Sequence, residues 1–111
     1  MGVKANLPLS QALSALDDRC ALRENVAMPA TLRLGGGRSF QTTVWDISIA
    51  GFSATALTRL PVDSLVWLTL PGLESLPARV AWWADSRVGC GFVNLLNPIV
   101  LDHAVSRWKG I

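Results

Sequence analysis

Two clusters of residues in this chain are of types that could do recognition chemistry. In "WDISIAGFSA", residues 45–54, Asp46, Ser48 and Gly51 stand as D-x-S-x-x-G inside an otherwise apolar, strand-like stretch. Unpaired polar groups cost about 1–3 kcal/mol each when buried, so Asp46 and Ser48 require partners, from the chain itself or from a bound molecule. Given the chain's composition, this pattern is expected by accident roughly 0.04 times, so the match carries information. Upstream, "RCALR" sets Arg19 and Arg23 four residues apart. That spacing is expected roughly 0.6 times by accident and is weak evidence alone. An exposed pair screened by Asp17, Asp18 and Glu24 would contribute little to stability. The chemistry open to the two arginines is planar, two-pronged hydrogen bonding to a small anion or to the edge of a base.

The acid, hydroxyl and glycine also have a structural use. In a tight strand-to-strand corner, Asp and Ser side chains cap backbone amides, and Gly51 is expected to take a positive φ. A corner held in this way presents polar groups in fixed geometry at a rim, so one set of residues can serve both architecture and binding.

The bulk composition removes several classes of function. With 111 residues, half of them hydrophobic, the chain fits one domain with a core of its own. No uncharged run reaches the ~18 residues of a membrane span, so no membrane insertion is expected. Cys20 and Cys90 lack a metal-ligand spacing, and His103 is the single histidine, so no zinc site or Cys/His catalytic set is read. No nucleophile-and-base pair or phosphate loop is visible, and the expectation is a non-enzyme without cofactor. A net charge of +2 is far from the basic excess of a nucleic-acid binder. Eight of the ten basic residues are nevertheless arginines, which favours recognition of a discrete anion over diffuse attraction. Pro8 and Gln11 interrupt any secretory apolar region, and a cytoplasmic protein is expected.

The elements that must position these residues are short. Residues 1–18 suggest a flexible or loosely helical N-terminal segment, with Leu9, Leu13 and Leu16 at helical spacing after Ser10. From Val26 the pattern changes to β-branched and aromatic runs between turn signals. "VAMPATLRL" carries Pro29, which belongs at an edge or a bulge. "GGG" at 35–37 turns it into "SFQTTVWDI", and "GFSATAL", "SLVWLTL", "LPARVAWWA" and "RVGCGFVNL" follow. Six short strands in about seventy residues predict an all-β fold, a small antiparallel barrel without free edges. The adjacent Trp82 and Trp83 must face opposite sides of their strand. Asn97 as N-cap and Pro98 at the first position start a C-terminal helix read from Pro98 to Lys109, with Val100, Leu101, Ala104, Val105 and Trp108 on its packed face.

The order of these pieces resembles the PilZ family of bacterial cyclic di-GMP receptors. "RCALR" looks like the family's R-x-x-x-R arm, "DISIAG" its D/N-x-S-x-x-G turn, "LVWLTLPGL" its fourth strand and "RVGCGFVNL" its closing strand. The resemblance runs from residue 19 to about 105. It implies a six-stranded Greek-key barrel over 19–111, with an arm that closes on a doubly charged cyclic dinucleotide. Arg19 and Arg23 would grip guanine and phosphate, and Asp46, Ser48 and Gly51 would line the other side of the site. The implied function is a non-catalytic receptor, monomeric or homodimeric, that binds cyclic di-GMP and relays the signal to a protein partner. The alternative is an adaptor of the same fold that docks on its partner without nucleotide.

Overall fold

In a computed structural model of the chain, residues 23–108 are described. The segment expected over 1–18, together with Arg19 and Cys20, lies outside the described residues, as do 109–111. Six strands form: β1 (Glu24–Leu34), β2 (Ser39–Ile47), β3 (Gly51–Thr55), β4 (Leu65–Thr69), β5 (Leu76–Ala84) and β6 (Arg87–Phe92). One helix, α1 (Pro98–Val105), follows.

All neighbours are antiparallel and the sheet closes on itself in the order β1-β2-β3-β6-β5-β4. Because the long connection after β3 brings β4 back beside β1, four strands run 4-1-2-3 in space, which is the Greek key. Closure gives alternate residues of each strand a common interior. Along β1, Val26, Met28, Ala30 and Leu32 are buried while Asn25, Ala27 and Pro29 are exposed. Val44, Ile47, Phe52, Leu68, Val80 and Val88 meet them from the other strands. Each large side chain buried there stabilises the fold by roughly 1.5–3 kcal/mol.

Turn chemistry matches the residues that carry it. At the β1–β2 turn Gly37 takes φ 101° and its N–H donates to the carbonyl of Leu34 at 2.9 Å. Between β5 and β6 the two loop residues, Asp85 and Ser86, both have positive φ, 53° and 64°. Two-residue hairpins favour that left-handed turn because its twist agrees with that of the strands. Pro29 pairs with Thr43 of β2, and pairing of β1 with β4 begins only at Thr31. It therefore sits on the stretch of β1 that has a single neighbour, as a strand proline should.

Three expectations need correction. β1 begins at Glu24 rather than Val26, which puts Arg23 directly against the strand. The helix ends at Val105, short of Lys109: Trp108 donates its N–H to the carbonyl of Val105 in a tighter turn, and its own carbonyl accepts from Ala27 in β1. Backbone pairing with the barrel thus replaces the last helical turn. Finally, Leu101 and Val105 are the buried residues of α1, whereas Val100 stays 42% exposed, because the short helix covers the barrel with a narrow stripe only.

Candidate ligand-binding site

The corner between β2 and β3 is built by Ser48. Its hydroxyl oxygen accepts from the amides of Ala50 (3.0 Å) and Gly51 (3.3 Å), and its own amide donates to the carbonyl of Gly51 at 2.8 Å. The carbonyls of Ile49 and Ala50 are in turn taken by the amides of Leu96 and Phe92. Ser48 is buried and does not reach the outer surface, so its part in any site is to hold the corner. Ser48→Ala leaves two amides without their acceptor and is expected to lower stability by about 1–3 kcal/mol in urea unfolding. An unchanged midpoint would mean that water replaces the hydroxyl at no cost.

Gly51 does not take the positive φ expected of it; among the described residues the positive-φ glycines are Gly37 and Gly72. It is glycine because of proximity. A Cβ at this position would lie 2.3 Å from the carbonyl oxygen of Cys90 on β6, and that contact is with backbone.

Asp46 faces outward on β2, opposite Asn25 on one side and Ser53 on the other. One carboxylate oxygen accepts from the hydroxyl of Ser53, which is itself buried, and the other accepts from Arg23 Nη1 at 2.6 Å. The partners demanded by the sequence are thus an internal hydroxyl and one of the two arginines singled out. Bulges at Trp45 in β2 and at residues 26–27 in β1 bend the sheet beside this pair. The structure joins Arg23, Asp46 and Gly51 around one groove; Ser48 stands behind it, and Arg19 lies outside the described residues.

The groove occupies about 630 Å³ on the outer face of β2, β3, β6 and β5. Strand register explains its shape. One row across the sheet runs Asp46, Ser53, Gly89, Trp82, and the next row on the same face runs Gly51, Gly91. Three positions that would ordinarily carry side chains are bare, so the floor is backbone. Trp82 lies across Gly89, where a Cβ would come within 2.2 Å of the indole nitrogen. An extra residue, Ala81, bulges from β5 and shifts the alternation, turning Trp82 outward, 45% exposed. Trp83 packs inward with its indole N–H on the carbonyl of Ala56 at 2.8 Å. The two tryptophans therefore face opposite ways, as expected. Ser53, Gly89 and Gly91 lie outside the motifs read from the sequence; the G-x-G spacing of 89 and 91, which on a strand empties two successive positions of one face, is the signal the sequence holds for them.

Chemically the site offers a guanidinium, a carboxylate, an indole face and open backbone. Cys90, which lines the groove, is not an activated nucleophile: burial pushes its thiol up to about 12. Among the described residues no group of three or more His, Cys, Asp or Glu side chains is placed to hold a metal.

No protein-family model matches the sequence, and no curated protein does. Among solved structures, the PilZ domain of CeSA from a cellulose-synthesizing bacterium superposes with a TM-score of 0.57 at 18% sequence identity, covering 78% of this chain and 92% of that one. The barrel has the PilZ-type fold. At this identity the likeness concerns architecture. In this PilZ-type barrel the corner sits between β2 and β3, and the bare face beside it is made by β3 and β6, with Trp82 of β5 alongside.

Proposed function

We propose that the chain is a cytoplasmic receptor for cyclic di-GMP, which binds in the groove and changes the surface offered to a protein partner. The observation that carries this reading is the meeting of Arg23 and Asp46 at the edge of a bare, backbone-floored groove. A cyclic dinucleotide needs cationic groups for its phosphates, an acceptor for the guanine N–H donors and room for a flat ring. Arginine serves the phosphates or the O6/N7 edge of guanine, Asp46 serves as the acceptor, and the indole of Trp82 is a surface on which a base can stack. Arg19, four residues before Arg23, is proposed as the second guanidinium. A protein partner that reads the surface changed by binding is proposed to carry the signal onward. Among the described residues no helix is long and apolar enough to cross a membrane.

Isothermal titration calorimetry with cyclic di-GMP tests the reading. Wild type is expected to bind at micromolar concentration or tighter, with a rise in melting temperature when ligand is in excess. Absence of heat and of any thermal shift at tens of micromolar protein would reject it.

A second reading is favoured by the apolar side chains left outside between the end of β6 and the first turn of α1. Val93, Leu95 and Ile99 are 50%, 56% and 80% exposed. On that reading the domain is an adaptor that docks without nucleotide. Partner capture that survives replacement of both arginines would support it.

A further inference from the structure

The groove does not end at Trp82. A second cavity, about 390 Å³, is lined by Asp63, Arg79 and Val93 and shares Ala81, Gly91 and Phe92 with the first. The ladder shows why they are continuous: Gly51 faces Gly91, and Gly91 faces Arg79, so a single row across three strands reads bare, bare, arginine. Arg79 therefore closes the far side of the same backbone floor whose near side carries Arg23 and Asp46. Asp46 on β2 and Arg79 on β5 are separated by β3 and β6, three interstrand steps of about 4.8 Å, so the strands carrying the two ends stand roughly 14 Å apart, and Arg23 reaches the near end from the start of β1.

We infer that Arg79 is a further ligand-binding residue, which meets the second phosphate or the distal base of a ligand whose first end is held by Arg23 and Asp46. This rests on the cyclic di-GMP reading and adds to it a recognition group outside both sequence motifs. Arg79 is exposed, and one of its nitrogens, Nη1, donates to the carbonyl of Asp63 at 3.0 Å. That bond ties the guanidinium to the loop before β4, where Asp63 holds φ 72° and its amide is bound by the carbonyl of Val80. A guanidinium carries five N–H donors, so an arginine anchored through one nitrogen still has donors for an anion, and anchoring lowers the entropy lost on binding. The ligand class is a dianion with two separated charges. A single phosphate would use one end of the groove.

The alternative role for Arg79 is to hold the loop, and the two roles separate experimentally. Cyclic di-GMP binding is measured by calorimetry on the full chain for wild type, Arg23→Ala, Arg79→Ala and Arg79→Gln. Arg38→Ala, at the β1–β2 turn away from the groove, is the control, and melting temperatures are taken without ligand. Glutamine keeps an N–H donor for the Asp63 carbonyl but removes the charge. Arg79→Gln is expected to melt like wild type and to bind at least ten-fold more weakly, while Arg38→Ala binds normally. If wild type binds, Arg23→Ala is impaired and Arg79→Gln binds like wild type, Arg79 serves the loop alone; this inference fails and the receptor reading stands. If wild type does not bind, the receptor reading fails and takes this one with it.

Discussion

Gly51→Ala is expected to cost about 3 kcal/mol or more of folding stability, a heavier penalty than overpacking a side-chain contact usually brings. The added methyl would stand 2.3 Å from the carbonyl oxygen of Cys90 and 3.3 Å from the Cα of Gly91, and none of these atoms belongs to a side chain that can swing away. Relief requires β3 and β6 to separate, yet they are paired from Gly51–Gly91 through Thr55–Arg87 in a closed barrel whose circumference is set by all six strands. For a domain of this size each kcal/mol lowers the melting temperature by roughly 4–8 °C, so a fall of about 12 °C or more should be read in a thermal scan. Gly36→Ala is the matched control, since no atom lies within 4 Å of its added Cβ and its φ is not in the left-handed region. That substitution should change stability by about 0.5 kcal/mol or less. Equal melting of the two variants would show that the barrel relaxes around residue 51 and that proximity is not why glycine stands there.

Arg23→Ala and Asp46→Ala should have unequal effects on stability and similar effects on ligand binding. The ion pair is partly solvated, with the arginine side chain 50% and the aspartate 22% exposed, and pairs of that kind contribute at most about 1 kcal/mol. Losing this pair through Arg23 should therefore cost no more than that. Removing Asp46 also strips the buried Ser53 hydroxyl of its acceptor, which adds about 1–3 kcal/mol. On the proposed function each loss removes a charge-assisted contact of roughly 1.5–3 kcal/mol, so affinity for cyclic di-GMP should fall ten-fold or more in both. Urea unfolding and calorimetry on the same preparations give the two readouts. If both variants unfold alike, the bond from Ser53 to Asp46 is not the main support of the carboxylate. If both bind like wild type, the groove's edge is not where the ligand sits.

The same residues show where reading from sequence succeeds. β-branched and aromatic runs set between turn signals, the glycine run among them, located β2 and β5 to the residue, and Asn97–Pro98 located the start of α1, because each is a local rule in which side-chain chemistry acts on its own few residues of backbone. The helix end failed for a complementary reason: nothing near Lys109 in the chain announces that the carbonyl of Trp108 will be claimed by Ala27, some eighty residues earlier.

For the candidate site, the sequence by itself marked Arg23 and Asp46, the groups proposed to meet a ligand, and the hydroxyl that braces the corner beside them. Spacing within a short stretch restricts what such side chains can do, whatever surrounds them. Tertiary structure alone decided that Gly51, Gly89 and Gly91 share one bare floor, that a bulge at Ala81 turns Trp82 rather than Trp83 toward it, and that Arg79 closes its far side. Those relations depend on which strands become neighbours and in what register. Register is a property of the closed barrel as a whole, since a slip of one residue in any strand would carry its side chains to the opposite face.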